Sequence, residues 1–174
     1  MKIPTFFDYV DREEFKMEHR PLVTVDAIVC DLFDLESKFL LIKRKNPPEG
    51  WALPGGMLDC GETVEQAVVR ELKEETSLDA EVADIEFFCV SSDPKRDPRF
   101  HSVSLAYEII DFTGEAVAAD DAKEVGWFTY DEVMALDIAF DHKDIIKRWW
   151  EKQEEIAMMK SINELWENVQ ANSS

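Results

Sequence analysis

Apolar residues alternate with other residues early in the chain, between residues 23 and 30. The apolar positions in this stretch are Val23, Val25, Ala27 and Val29. A period of two is the spacing of side chains on one face of a β-strand, so this stretch predicts a strand. Further strands are predicted at residues 39–42, 85–90, 101–112 and 125–128.

A helix of about three and a half turns is predicted over residues 64–76. Thr63 precedes this segment and Gln66 follows three positions later, which is the arrangement of a capping box, and neither Gly nor Pro interrupts the segment. Residues 54–56, Pro-Gly-Gly, predict a tight turn. Further helices are predicted near residues 130–135 and from residue 141 onward. Strands interleaved with helices indicate an α/β or α+β fold.

The last part of the chain carries a helical apolar repeat. Apolar residues recur at steps of three or four positions, at Ile156, Met159, Ile162, Trp166 and Val169. One face of a long C-terminal helix is therefore predicted to be apolar. Two interpretations remain open: the face packs back on its own domain, which is favoured, or it contacts a second copy of the chain.

Composition predicts a single soluble domain. The chain has 174 residues, 45% of them hydrophobic, which allows one substantial core. A formal net charge of −19 repels nucleic-acid phosphates, and no concentrated basic stripe offsets it, so no nucleic-acid partner is expected. No apolar stretch approaches membrane-spanning length, so no membrane partner is expected. Three widely spaced cysteines indicate neither a disulfide framework nor a zinc site, and a cytoplasmic location is predicted.

Three glutamates share one face of the first predicted helix. Glu71, Glu74 and Glu75 stand at positions i, i+3 and i+4, so their carboxylates are predicted to converge. Like charges placed in this way repel each other and call for a cation, and carboxylate oxygens favour Mg²⁺ or Mn²⁺. A solvated acidic helix face, paired with Arg70 and Lys73, is the alternative interpretation.

The residues around these glutamates follow a known spacing. Gly56 is followed after five residues by Glu62, and Glu62 after seven more by residues 70–78, Arg-Glu-Leu-Lys-Glu-Glu-Thr-Ser-Leu. This pattern resembles the Nudix box, G-x5-E-x7-R-E-U-x-E-E-x-G-U, in which U is apolar. Every defined position matches except the final glycine, which is Ser77 here. Glycine would ease a left-handed turn at the helix end, so the departure concerns the cap more than the metal ligands.

The resemblance implies an α/β fold, an α/β/α sandwich around a mixed β-sheet with an added C-terminal helix. It also implies a site for Mg²⁺, with Mn²⁺ as the alternative. The implied ligands are the Gly56 carbonyl and the carboxylates of Glu71, Glu74 and Glu75. Glu62 would support the ion or its water, and Arg70 would orient a glutamate. Such an ion shields a pyrophosphate and acidifies the attacking water.

A cation-rich loop precedes the strand predicted at residues 101–112. It carries Arg96, Arg99 and His101, and further along the chain residues 139–142 read Ala-Phe-Asp-His. Both segments are similar to features of Nudix ADP-ribose pyrophosphatases. The resemblance implies that the loop contacts substrate phosphate or ribose. Surface charge is the alternative for the two arginines, and a structural hydrogen bond is the alternative for the histidine.

Two further candidates lie outside these segments. Glu124 follows the acidic pair Asp120 and Asp121 and enters a predicted strand. It would complete the metal shell or act as general base, and an exposed acidic loop is the alternative. Arg44 ends an early strand and would either contact phosphate or lie in solvent.

The resemblance covers roughly residues 20–149 and implies hydrolysis of a pyrophosphate bond, with ADP-ribose giving AMP and ribose 5-phosphate. One alternative keeps the chemistry but takes nucleoside triphosphates, dinucleoside polyphosphates or another sugar nucleotide. Another is a binding module that senses ADP-ribose without turnover. The expected layout is an N-terminal extension at residues 1–19, a Nudix hydrolase domain at residues 20–152, and a C-terminal helix and tail at residues 153–174, in a homodimer.

Overall fold

The computed structural model describes residues 20–31, 37–119 and 122–171. Seven strands and three α-helices follow one another along these residues. Their order is β1 (Leu22–Asp31), β2 (Lys38–Arg44), β3 (Trp51–Ala52), β4 (Gly55–Met57), α1 (Val64–Thr76), β5 (Ile85–Ser91), β6 (Ser102–Ile109), β7 (Ala122–Thr129), α2 (Tyr130–Ala135) and α3 (His142–Ala171). The N-terminal extension predicted at residues 1–19 lies outside the described residues.

Strand β1 is the centre of a mixed sheet. It runs parallel to β6 and antiparallel to β2 and β4. Strand β6 also pairs antiparallel with β5, and β2 pairs antiparallel with β3 and β7. The strand order along the main path is therefore β3-β2-β1-β6-β5.

Helices cover both faces of this sheet. Successive residues of β1 point to opposite faces and therefore pack in two different cores. Val25 and Val29 pack with Leu72 of α1 in one cluster. Ile28 packs with Trp149 of α3 in the other. All five side chains are fully buried, and burying a side chain of this size stabilises a fold by roughly 1.5–3 kcal/mol. The α/β/α sandwich expected from the sequence is confirmed.

Helix α1 forms at the predicted residues, and its capping box is present. The Gln66 amide donates to Thr63 Oγ1 at 3.3 Å, and the Thr63 amide donates to Gln66 Oε1 at 2.9 Å. The prediction of a tight turn over residues 54–56 was wrong for residues 55 and 56, because Gly55–Met57 forms strand β4 and pairs with β1. Glycine permits this pairing, because a Cβ on Gly55 would lie 2.2 Å from the Val25 carbonyl oxygen.

The C-terminal helix α3 is a single element of 30 residues. Its first two turns pack into the core, but its distal apolar residues are exposed: Met159 by 65%, Ile162 by 44% and Trp166 by 64%. The interpretation that this face packs back on its own domain is therefore wrong for these three side chains. The side chain of Val169 is not among those that the structure describes. None of the described helices is long and apolar enough to cross a lipid bilayer.

Ser77 ends α1 in the left-handed conformation, with a φ of 63°. This is the residue that replaces the glycine of the box. Its amide donates to the Lys73 carbonyl at 3.0 Å, and its hydroxyl donates to the Val117 carbonyl at 3.4 Å. The cap therefore forms, although left-handed backbone costs a non-glycine residue roughly 1–2 kcal/mol.

Ser77→Gly is expected to raise the free energy of unfolding by about 0.5–1 kcal/mol. Glycine removes the cost of the left-handed backbone, and the added entropy of the unfolded chain offsets part of that gain. Urea denaturation measures the change. Ser77→Ala is the matched control, because it keeps the backbone cost and should not stabilise. A Ser77→Gly protein no more stable than wild type would contradict strain at this cap.

Candidate functional site

A cavity of about 340 Å³ opens between the sheet, α1, the loop after β5 and the start of α3. Two groups of side chains in its wall carry chemistry. The acidic group is Glu71, Glu74 and Glu75 of α1, and the cationic–aromatic group is Arg44, Arg99, Phe100 and Phe140. The predicted metal ligands therefore share one cavity with three of the predicted substrate residues, Arg44, Arg96 and Arg99.

Arg70 binds two members of the acidic group and Glu62. Its guanidinium lies 2.7 Å from the Glu62 carboxylate, 2.8 Å from that of Glu71 and 3.1 Å from that of Glu74. It also donates to the Met57 carbonyl of β4 at 3.1 Å. Arg70 thus ties the loop before α1 to the helix face, which fits the predicted role of orienting a glutamate.

Glu75 is fixed by a different contact. Its carboxylate is buried and accepts a hydrogen bond from the Gly55 amide at 2.8 Å. Next to it, Gly56 approaches Glu71 closely, since a Cβ added at Gly56 would lie 2.2 Å from Glu71 Oε1. Only glycine at residue 56 leaves the Glu71 carboxylate where it is.

The three glutamates line one cavity but do not converge on one point, so that part of the prediction was wrong. No three acidic, His or Cys side chains of the described residues are close enough together to hold a metal ion. Arg70 draws Glu71 and Glu74 toward itself, and the Gly55 amide holds Glu75. The donors are nonetheless carboxylate oxygens, two of them already grouped around a cation, and such oxygens are the ligands that Mg²⁺ prefers.

Burial and neighbouring charges shift the acidities in this region. Burial raises the pKa of Glu71, helped by the nearby Glu74 and Glu62 and opposed by Arg70. Hydrogen bonds from Arg70 and from the Asp59 amide lower the pKa of Glu62 to about 2. A cation near Glu71 would therefore favour its charged form, whereas Glu62 is already held as a carboxylate.

The cationic–aromatic group is built around Phe140. The guanidinium carbons of Arg44 and Arg99 lie 4.8 Å and 5.3 Å from the centroid of its ring. Arg99 also lies 4.9 Å from the centroid of Phe100. The Arg99 side chain is 40% exposed and pairs with Asp97 at 2.8 Å. Flat cations beside aromatic rings can contact both the phosphates and the base of a nucleotide.

Arg96 also lines the cavity but belongs to a buried ion-pair network. Its side chain is only 4% exposed and lies 2.7 Å from Asp141 and 3.4 Å from Asp26. It also donates to the Ser102 hydroxyl at 3.1 Å. The interpretation of Arg96 as surface charge is therefore wrong. Substrate contact by Arg96 stays a prediction, and its bonds to two carboxylates favour a structural role.

His142 packs beneath the cavity and is held from two sides. The Leu53 amide donates to Nδ1 at 2.9 Å, which places the ring proton on Nε2, 3.3 Å from Asp26. Burial alone would raise the pKa of Asp26, but His142, Arg96 and the Ser104 hydroxyl hold it below its usual value. A buried carboxylate of β1 thus stays ionised under the cavity.

Four predicted site residues do not line this cavity: Glu62 and Arg70, which contact its acidic group, and Glu124 and His101, which do not. Glu124 is exposed on β7, opposite Lys43 of β2, and His101 is exposed just before β6. Asp120 and Asp121 lie outside the described residues. A metal or base role for Glu124 and a substrate role for His101 therefore stay predictions.

Individual roles for Asp26, Asp141 and Phe140 are not predicted from the sequence. Asp26 did carry a signal, because a charged residue inside an apolar strand must be paired when it is buried. Its partners could not be deduced, since Arg96 and Asp141 are far away along the chain. Phe140 lies in the segment 139–142 that resembles a family feature, but the position of its ring could not be deduced, because it depends on a left-handed backbone with a φ of 58°.

The sequence is similar to known proteins over most of its length. A model of the NUDIX domain matches residues 22–149. The chain is 46% identical over 144 residues to an ADP-ribose pyrophosphatase of Methanocaldococcus jannaschii, and the match covers 80% of each protein. It is 32% identical to the ADPR responsive transcriptional repressor NtrR of Acinetobacter baylyi, over 74% of this chain and 52% of the repressor.

Solved structures show the same fold. The NUDIX domain of Shewanella oneidensis NrtR, complexed with ADP ribose, superposes with a TM-score of 0.73 at 32% identity, covering 86% of this chain and 99% of that one. A bifunctional NMN adenylyltransferase/ADP ribose pyrophosphatase from Francisella tularensis, complexed with AMP and a Mn ion, superposes with a TM-score of 0.63 at 32% identity, covering 76% of this chain and 42% of that one.

Proposed function

This chain belongs to the NUDIX domain family, and we propose that it hydrolyses the pyrophosphate bond of ADP-ribose, giving AMP and ribose 5-phosphate. The observation that carries the proposal is a single cavity that holds the acidic group beside the cationic–aromatic group. The acidic group suits the ion that such hydrolysis needs, and the other group suits a phosphorylated nucleoside. The 46% identical relative, an ADP-ribose pyrophosphatase, supports this substrate.

We assign Mg²⁺, with Mn²⁺ as the alternative, to the Gly56 carbonyl and the carboxylates of Glu71, Glu74 and Glu75. When bound, the ion would shield the phosphates and acidify the attacking water. Glu62 supports this arrangement through Arg70, which it contacts at 2.7 Å. The fit rests on the donors themselves, which are hard oxygens in one cavity wall.

In the proposed reaction, a water oxygen attacks one phosphorus and the bridging oxygen leaves with the other phosphate. Glu74 is our candidate to take the proton of the water, because its side chain is 47% exposed and open to solvent. Glu124 is the second candidate and would have to approach the cavity from β7. Arg44 and Arg99 contact phosphate or ribose, whereas Arg96 and His101 would act through the loop that carries them.

Gly56→Ala is expected to lower kcat on the order of 10²-fold while leaving the fold intact. The added Cβ would overlap only the end of the flexible Glu71 side chain, so a predicted ligand moves and the backbone does not. Gly55→Ala is the contrasting variant, because its Cβ would meet the Val25 carbonyl of β1 and should lower the melting temperature. An equal decrease in melting temperature in both variants would contradict the idea that only Gly55→Ala disturbs the backbone.

Two alternatives keep the fold and change the function. The first is the same hydrolysis with nucleoside triphosphates, dinucleoside polyphosphates or another sugar nucleotide as substrate. The second is ADP-ribose sensing without turnover, which is favoured by the likeness to the repressor NtrR and to the ADP ribose complex of NrtR. The intact acidic group favours hydrolysis over sensing.

Parallel kinetics on a substrate panel with Mg²⁺ tests these functions. The panel contains ADP-ribose, other nucleotide sugars, NADH, diadenosine polyphosphates and nucleoside triphosphates. We expect ADP-ribose to have the highest kcat/KM. A higher value for another member would transfer the proposal to that substrate. Tight ADP-ribose binding with no turnover of any member would favour the sensor.

We further propose a cytoplasmic homodimer that does not bind nucleic acid. The exposed distal face of α3 offers a dimer contact, and light scattering coupled to gel filtration measures the mass. The net charge of −19 opposes DNA binding. NrtR of Shewanella oneidensis is known in complex with a 27mer DNA, but this chain covers only 62% of that protein. A gel-shift experiment with duplex DNA tests this point.

A further inference from the structure

Phe140 adopts a backbone conformation that a bulky aromatic residue rarely takes. Ser77 and Phe140 are the two described non-glycine residues with positive φ, at 63° and 58°. Ser77 closes a helix, where such a conformation is usual. Phe140 lies between α2 and α3, and its ring lines the cavity. A strained residue in a cavity wall persists only when its surroundings fix it.

The residues on both sides of Phe140 are held firmly. The Ala139 amide donates to the Trp51 carbonyl at 2.8 Å, which ties the preceding residue to β3. The following residue, Asp141, lies 2.7 Å from the buried Arg96. His142, one position further, is fixed by the Leu53 amide and Asp26 as described above. These contacts determine the backbone at residue 140 without using the phenyl ring.

The ring itself faces flat cations. Arg44 lies over the ring and is anchored, because its Nε donates to the Pro48 carbonyl at 2.9 Å. Arg99 also lies over the ring, and its 40% exposed side chain is held by two hydrogen bonds to Asp97 and by its contact with the Phe100 ring. Arg99 is the more exposed of the two arginines. Nucleobases stack on aromatic rings and on guanidinium planes for the same physical reason.

From these contacts we infer that Phe140 is the stacking platform for the nucleobase of the substrate, with the guanidinium groups of Arg44 and Arg99 beside it. The inference rests on the proposed function for the identity of the substrate. It assigns the buried network of Arg96, Asp141 and His142 a positioning role, since these residues hold the platform and do not touch the base.

Packing alone does not account for this residue. Phe140 packs on a small cluster that contains Ile42, Ala52 and Ala139. That contact needs only apolar bulk, which leucine would also supply. The aromatic face is what leucine lacks, and it is the face beside which the flat guanidinium groups of Arg44 and Arg99 lie. Leucine in place of Phe140 therefore separates the two roles.

Calorimetric titration of AMP tests the platform without relying on turnover. Phe140→Leu keeps apolar bulk and removes the aromatic face, and we expect AMP affinity to fall by about 10-fold or more. Phe140→Tyr restores the face and should return the affinity to within about 3-fold of wild type. Phe87→Leu is the matched control, because Phe87 is an exposed aromatic residue of β5 that does not line the cavity. It should bind AMP as wild type does.

A second variant protects the test against misfolding. Phe140→Asn also removes the ring, and asparagine tolerates left-handed backbone, so a folded protein is expected with the same loss of AMP affinity. Unchanged AMP affinity in Phe140→Leu or Phe140→Asn would overturn the platform. So would equal losses in Phe140→Leu and Phe140→Tyr, or a wild-type protein that binds no AMP.

The platform and the proposed function can fail separately. A wild-type protein that hydrolyses ADP-ribose, combined with unchanged AMP affinity in Phe140→Leu, would overturn the platform alone. A wild-type protein that hydrolyses no ADP-ribose, combined with AMP affinity that depends on Phe140, would overturn the proposed function and support the platform.

Discussion

Glu75→Gln is expected to lower kcat/KM for ADP-ribose by at least ~10²-fold. The substitution removes a negative charge from the acidic group, where a divalent ion must be held against the charge of the substrate. It should not unfold the protein, because the glutamine side-chain oxygen can still accept the hydrogen bond that the Gly55 amide donates at 2.8 Å. Initial rates at several ADP-ribose and Mg²⁺ concentrations measure the effect.

Glu81→Gln is the matched control for this loss. Glu81 is exposed, lies before β5 and does not line the cavity, so the same change of charge there should leave kcat/KM unchanged. Unimpaired ADP-ribose binding by Glu75→Gln would place the loss in the chemical step. A Glu75→Gln protein with wild-type kcat/KM would contradict the assignment of the acidic group to the ion.

Arg96→Met is expected to lower the free energy of unfolding by roughly 3–5 kcal/mol at neutral pH. Arg96 is 4% exposed and pairs with the carboxylates of Asp141 and Asp26. Removing it leaves both carboxylates without their cation in a buried environment. Urea denaturation measures the loss. Lys95→Met, an exposed neighbour, is the control and should change the free energy of unfolding by less than about 0.5 kcal/mol.

The loss in Arg96→Met should shrink as the pH falls. Burial alone would raise the pKa values of Asp26 and Asp141, but Arg96 and other neighbours hold both below the usual aspartate value. Carboxylates with lowered pKa stabilise the folded state above about pH 4, and this contribution is lost as the pH drops below it. A loss of equal size at pH 7 and below pH 4 would contradict the ion-pair origin.

The acidic group was the most predictable part of the site, because helix geometry alone puts Glu71, Glu74 and Glu75 on one face of α1. The capping box at Thr63 and Gln66 was equally local, and it forms as predicted. These features depend on contacts within a few residues. Spacing along the chain is therefore enough to predict the shared helix face and the capping box.

Features that depend on distant residues were less predictable. The spacing of the glutamates could not reveal that Arg70 would pair with Glu71 and Glu74 while the Gly55 amide holds Glu75 apart from them. Nor could the loop sequence reveal that Arg96 turns inward to Asp26 while Arg99 stays half exposed. Both outcomes follow from charge pairing across the fold, which a one-dimensional pattern does not contain.

The surface that the distal apolar face of α3 contacts could not be predicted from the sequence either. Its spacing correctly predicted a helix, but the same stripe serves packing on the domain and contact with another chain. Met159 and Trp166 are more than half exposed, which removes the first interpretation for these side chains. A periodic stripe predicts the helix and its apolar face, but not the surface that this face meets.

Product analysis of ADP-ribose incubated with the wild-type protein tests the central claim most directly. Chromatography should show AMP and ribose 5-phosphate in equal amounts when Mg²⁺ is present and neither product when EDTA replaces it. The account would be contradicted by cleavage at another bond, by equal turnover with EDTA, or by ADP-ribose that binds and remains intact in the presence of Mg²⁺.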